Sequence, residues 1–597
     1  MTVILGLNAF HADAAACLLI DGKLVGAVAE ERLGQREKHT SRFPEHAIRW
    51  LLASSGLRLR DVTHVALPRD IGANRMAKVA WVARNPVKGA AAALEHFSRN
   101  QKTVSMLDRL AGVCGEDPAL ASFETVHVEH HLAHIASAYY LSPFDGLTAG
   151  FSYDASGDFA SAMAARCEGS RIEILDRVTL PDSLGFFYTA LCQFIGFDQF
   201  GEEYKVMGLA PYGEDAYADA MREMVMTPAD DWFRLGGGYF GMHEGGESGG
   251  VDGDGRLSMG RLYTARLVER LGAPRLRDGE LSQRERNIAR SAQVRFEEAA
   301  VHCLARLHGK VATERLVMAG GCALNGVANA RILRDTPFAT PYLQAAASDD
   351  GTCLGAAYWV WHNTLGRTER FHMRHAFWGP DYPDARLRQA AEAANVPIAE
   401  FADEEVLVAT AGELIARGLV VGWYQGRSEW GPRALGNRSI LANPAIPTMK
   451  DTINAKIKRR ESFRPFAPSV LAEDVGTYFE QDVSSPFMMH VVKLRPAWRD
   501  RLPAVTHVDG TGRLQSVDPE SNPLYYRLIS AVKRHTGIGV VLNTSFNENE
   551  PVVDTPEQAV DCFLRTDMDA LCLGRFVLVK PGRVPNGMTA CVWMRRS

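Results

Sequence analysis

The chain has 597 residues and a formal net charge of −5; 46% of its residues are hydrophobic and 23% are charged. This length exceeds what one hydrophobic core usually serves, so two or more domains are expected. The composition is that of an ordinary globular protein, and the acidic balance argues against a protein that coats nucleic acid.

The cysteines and the N-terminal sequence indicate a cellular compartment. Ten cysteines are scattered from Cys17 to Cys591 without a C-x-x-C pair, which indicates reduced thiols rather than a disulfide framework or a zinc ribbon. The N-terminus has no basic signal region, and no apolar segment approaches the length of a membrane span. We therefore predict a cytoplasmic protein with no membrane partner.

Two stretches of the sequence share one plan. Residues 2–31 predict strand, turn, strand, turn, strand, with Asp21-Gly22 as a strong hairpin signal, and residues 147–177 repeat this order. The repetition predicts an internally duplicated α/β domain, whose first loops can hold phosphates through backbone N–H groups. Helices are predicted at residues 43–55, at 76–99 with a break at Pro86, and at 283–308.

A histidine-rich helix precedes the second of these units. His130 and His134 are four residues apart, which is the spacing by which two imidazoles on one helix face bind a single metal ion. His127 and His131 form a competing pair with the same spacing. Either pair is also compatible with a polar helix face that binds no metal.

Carboxylates at the ends of two further elements are candidates for the same site. The apolar run from Leu147 to Tyr153 predicts a strand that ends in Asp154, near Gly157, which permits a tight backbone. Asp349 and Asp350 lie on a loop before another predicted helix and offer a fourth ligand. Asp350 is equally compatible with a helix cap.

Two glycine-containing stretches suggest ligand loops. A strand at Leu316–Ala319 meets Gly320 and Gly321 before a helix predicted to begin near Ala323, so a ligand can approach the backbone at a positive helix end. Glycines at such turns are also found where only the backbone conformation requires them and no ligand binds. The segment Leu235–Gly255 predicts a loop, either a substrate lid or a surface insertion.

The chain changes character near residues 375–385, and cations set among Gly, Trp, Phe and Pro follow in loops. Such cations suit a pocket for an anion such as phosphate or carboxy-phosphate, although surface ion pairs with acidic residues are the alternative. A buried strand then opens into Asn543, Ser545 and Asn547. The cations are Arg427, Arg433, Arg438, Lys456, Lys458, Arg459, Arg460, Arg464 and Arg513.

Seven motifs give the chain a resemblance to a known family over nearly its whole length. The motifs are HADAAACLLIDGKLVGAVAEERL, VEHHLAHIASAYY, GEEYKVMGLAPYG, GGCALNG, EWGPRALGNRSIL, KRRESFRPFAPSVL and LNTSFNENEPVV. The chain resembles the carbamoyltransferases typified by the nodulation, cephamycin and nebramycin O-carbamoyltransferases. A chance match to all seven motifs in order is very unlikely.

The resemblance implies a fold and a division of labour. It implies an α/β protein with a duplicated actin/sugar-kinase-like (ASKHA) domain, similar to the tRNA threonylcarbamoyl transferases, at residues 1–378. It implies a YrdC-like α/β domain, similar to the threonylcarbamoyl-adenylate synthases, at residues 379–597. In this family the YrdC-like domain makes carbamoyl-adenylate from carbamoyl phosphate and ATP, and the first domain transfers the carbamoyl group to a substrate hydroxyl.

The resemblance also implies roles for residues of the second domain. Lys458 and Arg460 resemble the K-x-R signature of the YrdC-like fold, and Ser545 and Asn547 resemble its S-x-N signature. Arg433 in GPRALG and Arg513 in GRLQ match further carbamoyl-phosphate contacts. Catalytic roles are implied for Lys458, Arg433, Arg513 and Ser545.

For the first domain, the resemblance implies a metal site, a nucleotide site and a general base. Many relatives read His-Asp directly, whereas Ala12 separates His11 from Asp13 here. The metal is usually iron in this family; two nitrogens and two carboxylates also suit Mn²⁺ or Zn²⁺, and Mg²⁺ would accompany ATP. The implied residues are His130, His134, Asp154 and Asp349 for the metal, Lys205, Gly320, Gly321 and Asn325 for the nucleotide, and His11 as the base.

This layout makes chemical sense for carbamoyl transfer to an alcohol. The hydroxyl proton must be removed, and negative charge on the carbonyl or the leaving phosphate must be stabilised. We therefore predict an ATP-dependent O-carbamoyltransferase of antibiotic or other secondary metabolism. Its partners are carbamoyl phosphate, ATP and a small hydroxyl acceptor, and a homodimer is left open.

Two other functions compete with this prediction. A tRNA-modifying threonylcarbamoyl enzyme uses similar domains, but the acidic charge and the lack of an extended basic stripe argue against nucleic acid as a partner. The other competing function is a non-catalytic ATP-sensing module. The set Lys458, Arg460, Arg513 and Ser545 argues against it, because sensing alone does not require a carbamoyl-phosphate pocket. Loops such as 70–110 and 235–260 are expected to line the acceptor pocket.

Overall fold

The computed structural model describes residues 1–34, 36–85, 106–244, 250–251 and 257–583. They form two compact units: the first ends at Met373, the second begins at Arg374, and Arg36–Lys38 groups with the second. The boundary predicted between residues 378 and 379 lies close to this division. Each unit is α/β.

The first unit opens with a five-stranded sheet built on the predicted hairpins. Its first three strands are antiparallel neighbours, with Val3 opposite Ile20, and the fourth and fifth strands run parallel to the first. In sequence order of the strands, the spatial order is 3-2-1-4-5. The strands are Val3–Asn8, Ala15–Ile20, Lys23–Ala29, His64–Leu67 and Glu124–His127.

A second five-stranded sheet repeats this topology. Three antiparallel strands again come first, and two later strands run parallel to the first of them, which gives the same 3-2-1-4-5 order. The predicted duplication is therefore confirmed, and the unit has the ASKHA-like arrangement. The strands are Thr148–Gly157, Ala160–Glu168, Arg171–Thr179, Arg315–Ala319 and Thr340–Leu343.

Two buried helices pack against each other between these sheets. The His130–Tyr139 helix lies on the second sheet, and the Thr352–Trp359 helix lies on the first. A Cβ atom at Gly355 would lie 1.8 Å from the Ala133 carbonyl oxygen, so only glycine permits this crossing. The crossing places the predicted His130 and Asp349 regions side by side.

The crossing gives a stability prediction. We expect Gly355→Ala to lower the free energy of unfolding by about 3 kcal/mol, because the added methyl overlaps backbone rather than a movable side chain. Chemical denaturation would measure it. Gly112→Ala is the matched control, since a methyl group added there would meet no atom within 4 Å, and alanine is the better helix former by about 0.5–1 kcal/mol. Equal effects of the two substitutions would contradict the close crossing.

Further helices cover the outer faces of the sheets. The predicted helix at residues 43–55 is confirmed as Glu45–Ser54, and that at 283–308 as Gln283–Lys310, which begins with a Ser282–Glu285 capping box. The predicted helix at 76–99 is confirmed only as Arg75–Arg84, and residues 86–105 lie outside the described part. The remaining helices are Glu30–Leu33, Met106–Cys114, Leu184–Phe194, Glu203–Leu209, Ala218–Met224, Ala265–Leu271 and Gly326–Asp335.

The predicted glycine-rich loop at residues 235–255 contains short regular pieces. Arg234–Leu235 pairs with Val225–Met226, and Gly250–Val251 pairs with Leu257–Ser258. A 3₁₀ turn spans Gly241–Glu244. Residues 245–249 and 252–256 lie outside the described part, so the predicted role of this segment as a lid stays a prediction.

The second unit is built on a mixed nine-stranded sheet. Its order in space is Ile398–Glu400, Phe576–Val579, Ala570–Leu573, Val421–Tyr424, Arg438–Ala442, Val540–Ser545, Ala467–Leu471, Thr511–Val517 and His490–Lys493. An apolar core between one face of the sheet and the 404–416 and 523–536 helices includes Leu414, Trp423 and Leu528. The helices are Asp384–Ala393, Glu404–Ala416, Met449–Ile453, Val475–Tyr478, Pro496–Arg499, Pro523–Thr536 and Pro556–Arg565.

Two expectations from the sequence concern the chain as a whole. The cysteines in the described part are all free, as the absence of paired spacing predicted. Among the described residues, no helix has both the length and the apolar character needed to cross a membrane.

Candidate metal centre and cationic site

Four side chains from three parts of the first unit converge on one point. His130 and His134 come from the same face of the buried helix, Asp154 from the second sheet, and Asp349 from the 3₁₀ turn that precedes the Thr352–Trp359 helix. Their nearest ligand atoms all lie within 4.8 Å of one another. The structure thus brings together the four residues that the sequence proposed.

The distances within this cluster fit a single ion. The Nε2 atoms of His130 and His134 are 3.1 Å apart, and each lies 3.4 Å from Asp349 Oδ1. His134 Nε2 is 3.2 Å from Asp154 Oδ2. Ligands held at about 2.0–2.2 Å from one metal ion stand roughly 3–3.5 Å from each other.

Burial and charge also favour an ion here. Asp349 Oδ1 is buried and has no hydrogen-bond partner within the described residues, and such an orphaned oxygen is costly unless something binds it. Burial opposes charge on His130, but the neighbouring carboxylates of Asp154 and Asp349 outweigh it and raise the pKa of His130 to about 10. The two carboxylates therefore favour positive charge at this point, from either a proton or a metal ion. Burial likewise opposes ionisation of Asp349, but His11 and the two histidines hold its pKa well below the usual range.

The competing histidines lie elsewhere. His131 is buried and its Nδ1 is 3.0 Å from Ser152 Oγ, while burial and the neighbouring histidines lower its pKa to about 3. His127 is exposed and lies 2.9 Å from the Arg69 carbonyl oxygen. The alternative pairing of these two residues on one helix face is therefore wrong, because His127 ends a strand and the helix begins only at His130.

The loop after Tyr153 fixes His130. The strand does not end at Asp154 as predicted; it continues to Gly157 with a register shift after Tyr153. A Cβ atom at Gly157 would lie 2.0 Å from His130 Cδ2, so glycine admits the ring. Asp158, which was not predicted as a site residue, accepts the His130 backbone N–H at 2.9 Å. Its position directly after Gly157 was the only available signal.

His11 lies beside the cluster. Its Nδ1 atom is 2.6 Å from Asp349 Oδ2, the oxygen that faces away from His130 and His134, and its side chain is 38% exposed. One carboxylate therefore connects the predicted base to the predicted metal ligands. Asp350 does not join them: burial raises its pKa well above the usual range, and it accepts the Gly351 N–H at 3.0 Å.

Asp13 contacts His39, a residue that no sequence pattern indicated. Its Oδ1 is 2.7 Å from His39 Nδ1, and its Oδ2 accepts from Ser348 Oγ at 2.7 Å. Through these two contacts Asp13 stabilises the loop that carries His11. Asp13 is not one of the four residues of the metal-ligand cluster. No local pattern predicts a pair formed between residues this far apart in the chain.

This pair predicts a pH-dependent stability. Burial opposes charge on His39, but Asp13 outweighs it and raises its pKa to about 9, against about 6.5 when unfolded. The folded state binds the proton more tightly, so the contribution is complete below pH about 6.5 and lost as the pH rises through about 9. We expect the difference in unfolding free energy between wild type and His39→Gln to shrink over this range in urea titrations. A constant difference, like that expected for exposed His127→Gln, would contradict the pairing.

The glycine turn packs on the end of the Thr148–Gly157 strand. Gly320 has a φ of +98°, and a Cβ atom there would lie 2.1 Å from the Tyr153 carbonyl oxygen. The helix start predicted near Ala323 was wrong: a 3₁₀ turn spans Gly321–Leu324, and the helix begins at Gly326. Asn325 caps that helix by accepting the Ala328 N–H at 3.1 Å. These contacts explain the glycines geometrically, and a nucleotide role stays a prediction.

Lys205 is buried and already paired. Its Nζ atom lies 2.7 Å from Glu202 and 5.0 Å from the Phe197 ring centroid. Glu202 also accepts from Arg277 at 2.9 Å. A phosphate contact by Lys205 would require it to exchange Glu202 for the nucleotide.

In the second unit, the predicted K-x-R and S-x-N residues meet. Lys458 is fully buried, and its Nζ lies within hydrogen-bonding distance of four oxygens: Ser545 Oγ at 3.2 Å, Asn547 Oδ1 at 2.7 Å and the carbonyl oxygens of both residues. Burial, and then the nearby Arg460, lower the pKa of Lys458 well below its usual range. No carboxylate accepts from its ammonium group within the described residues.

Three arginines gather near Arg513. Burial lowers the pKa of Arg513 well below its usual range, and Arg433, Arg460 and Arg464 lower it further. Arg513 Nε is buried without a hydrogen-bond partner in the described part. Burial lowers the pKa of Arg433 to about 10. Guanidinium groups placed this close together are suited to binding an anion.

The remaining cations have structural roles. Arg438 is fully buried, donates to the carbonyls of Gln425 and Asn437 and lies 3.7 Å from the Tyr424 ring centroid. Arg427 donates to the carbonyl oxygens of Trp378 at 2.7 Å and Gly379 at 2.9 Å. Lys456 and Arg459 are exposed and form surface ion pairs, so the alternative of surface pairing holds for these two.

The first unit combines a duplicated sheet topology with the four-residue metal-ligand cluster, and the second unit gathers lysine and arginine side chains. Comparison with known proteins identifies the family. Residues 3–358 match the carbamoyltransferase N-terminus family model, and residues 412–580 match the carbamoyltransferase C-terminus model. The chain belongs to the carbamoyltransferase family.

Individual relatives match different shares of the chain. An uncharacterized protein of Synechocystis sp. is 37% identical over 97% of both chains. The nodulation protein NolNO of Sinorhizobium fredii is 37% identical over 97% of this chain and 80% of its own. The 3'-hydroxymethylcephem-O-carbamoyltransferase of Amycolatopsis lactamdurans is 36% identical over 39% of this chain and 42% of its own.

Proposed function

We propose that this chain is an ATP-dependent O-carbamoyltransferase. The second domain, YrdC-like and predicted at residues 379–597, makes carbamoyl-adenylate from carbamoyl phosphate, water and ATP, and releases phosphate and pyrophosphate. The first domain, predicted at residues 1–378, transfers the carbamoyl group to a hydroxyl of a small natural product and releases AMP. One observation supports this most strongly: burial and nearby cations lower the pKa values of Lys458, which is fully buried, and of Arg513, which is partly buried, in the same chain as the His130–Asp349 cluster.

The second unit's contacts suit an acyl phosphate. Arg433 and Arg513 would bind the phosphate, because guanidinium forks match phosphate oxygens. Lys458 and Arg460 would stabilise charge where the phosphate leaves and the adenylate forms. Ser545 and Asn547 orient the Lys458 ammonium through their side-chain oxygens and would contact the carbamoyl group.

The first unit's contacts suit attack by an alcohol. His11 would accept the hydroxyl proton, and Asp349 orients its ring through Nδ1. A divalent metal held by His130, His134, Asp154 and Asp349 would supply Lewis-acid stabilisation of negative charge. The donor set fits Fe²⁺, and Mn²⁺ or Zn²⁺ fit as well. The Gly320–Gly321 turn, Asn325 and Lys205 would contact the nucleotide, with Mg²⁺ accompanying ATP.

The half-reaction tests the proposal. Purified protein with ATP should release pyrophosphate only when carbamoyl phosphate is present, and AMP should appear when a hydroxyl acceptor is added. Coupled pyrophosphate detection and nucleotide chromatography would measure both. ADP formation, or pyrophosphate release without carbamoyl phosphate, would contradict it.

The acceptor class needs a separate screen. The cephem relative's name specifies a hydroxymethyl acceptor and the other relative is a nodulation protein, so hydroxylated antibiotic scaffolds and sugars are the first candidates. Mass spectrometry would detect the added carbamoyl group. Salt-sensitive binding of tRNA would favour threonylcarbamoyl-type modification instead, and an absence of all turnover with retained ATP binding would favour a sensing module.

A further inference from the structure

The loop from Glu429 to Arg438 closes on its own first residue. Glu429 is 4% exposed, and a single oxygen, Oε1, accepts three backbone N–H groups at 2.8, 2.9 and 3.0 Å. The other oxygen, Oε2, is buried without a hydrogen-bond partner in the described part of the chain. Arg433 lies within the loop that this carboxylate closes. The donors are Leu435, Asn437 and Arg438.

Two amide side chains on strands of the sheet donate hydrogen bonds to the 429–438 loop. Gln515 Nε2 donates to the Leu435 carbonyl at 2.7 Å, and Asn543 Nδ2 donates to the Ala434 carbonyl at 3.1 Å. The amides are also joined to each other, since Asn543 Nδ2 donates to Gln515 Oε1 at 2.9 Å. The loop is therefore fixed at both residues that directly follow Arg433.

The same two strands carry the other anion contacts. Arg513 and Gln515 are two residues apart on one strand, and Asn543 and Ser545 are two apart on another. Side chains two apart on a strand share a face. The network that holds the Arg433 loop is thus built on the face that presents Arg513 and Ser545.

The Glu429 carboxylate accepts backbone N–H groups of its own loop. Such charge-assisted hydrogen bonds are about twice as strong as neutral ones. A concave set of backbone N–H groups is also an anion site in its own right, and Glu429 occupies it.

We propose that Glu429 is a positioning residue of the second unit: an internal anion that fills the backbone N–H concavity of the 429–438 loop and so directs the substrate's phosphate to Arg433. The inference rests on the proposed function, because it takes an acyl phosphate of the carbamoyl phosphate type as the ligand. Glu429 touches no reacting atom and acts through Arg433.

Glu429→Gln in the full chain tests this role. The neutral amide oxygen is a weaker acceptor, and the amide NH₂ would replace the buried, unpartnered Oε2. In carbamoyl-phosphate-dependent pyrophosphate release, we expect the KM for carbamoyl phosphate to rise about tenfold or more, while the KM for ATP changes less than about twofold. Glu480→Gln, which removes an exposed carboxylate paired with Arg499, should change neither.

A double substitution separates positioning from general damage. Arg433→Ala alone should raise the KM for carbamoyl phosphate, and adding Glu429→Gln should change it by less than about twofold, because both act through one contact. Fully additive effects, or an equal rise in both KM values, would overturn the inference. If Glu429→Gln loses the wild-type melting transition, Gln515→Leu is used in its place. Adding Gln515→Leu to Arg433→Ala should then change the KM for carbamoyl phosphate by less than about twofold, and fully additive effects would overturn the inference.

Phosphate binding separates this inference from the proposed function. If wild type releases pyrophosphate and Glu429→Gln matches it in both KM values, the positioning role fails alone. If wild type shows no such release, the proposed function fails, and calorimetric titration with inorganic phosphate decides the role. Weaker phosphate binding by Glu429→Gln would then support it, and equal binding would overturn it.

Discussion

Replacing Lys458 with methionine should lower carbamoyl-phosphate-dependent pyrophosphate release about a hundred- to a thousandfold, the usual cost of losing one preorganised donor at a site of developing charge. Methionine keeps the length and the apolar stem, so the buried space stays filled. The ammonium group that joins Ser545 and Asn547 is lost, and with it a positive charge close to Arg460. Continuous pyrophosphate detection at saturating ATP would measure the loss.

The control for this substitution is Lys456→Met. Lys456 lies two residues away, is 56% exposed at its side chain and pairs with Asp567 on the surface. Its replacement should leave the rate within about twofold of wild type, because exposed ion pairs contribute little. Similar losses in both variants, or none in Lys458→Met, would show that Lys458 is not part of the adenylate-forming site.

Replacing His134 with alanine should separate the two half-reactions. We expect carbamoyl transfer to an alcohol to fall by at least about a hundredfold, since even indirect supports of a metal site cost about ten- to a hundredfold. Pyrophosphate release should persist, because the cations of the second unit are untouched. Metal content of the purified protein, measured by mass spectrometry, should fall in parallel.

His127→Ala is the matched histidine control for the metal cluster. His127 is exposed and lies on a strand three residues before the cluster's first ligand, so metal content and transfer should stay at wild-type levels. Loss of pyrophosphate release in His134→Ala without loss of metal would contradict the division of roles. Retained transfer in a metal-free His134→Ala protein would contradict the metal's part in the reaction.

The sequence predicts the regular parts of the first unit well, for physical reasons. Asp21-Gly22 between apolar runs specifies a hairpin locally, and the same plan recurs after residue 147, so the duplication needs no tertiary information. The His130/His134 pair is also local, because helix geometry alone puts both rings on one face. Spacing alone could not choose between this pair and His127/His131. The family resemblance made that choice, and the structure places His130 and His134 in one cluster.

Other features depend on contacts that no local pattern encodes. The Asp13–His39 pair joins separate elements, and its strength comes from burial. The strand through Asp154 continues to Gly157 because it pairs with the next strand across an irregularity. The helix after Gly321 starts later than expected because a 3₁₀ turn packs on Tyr153 first. Tertiary packing overrides sequence propensity at such positions.

In the second unit, residue type alone did not separate structural from site-forming cations. Arg438 and Arg513 both follow a glycine closely, yet Arg438 donates to carbonyls and stacks on Tyr424, whereas Arg513 lies near other arginines. The difference lies in the tertiary neighbours of each side chain. Glu429 gave no signal in sequence, because its partners are backbone N–H groups of its own loop.

The central claim is that one chain forms an activated carbamoyl group with ATP and delivers it to an alcohol. Phosphorus NMR of the wild-type protein with ATP, carbamoyl phosphate and a hydroxylated acceptor tests it most directly. We predict that phosphate, pyrophosphate and AMP appear together with a carbamoylated acceptor, and that pyrophosphate requires carbamoyl phosphate. Formation of ADP with no pyrophosphate would contradict the claim.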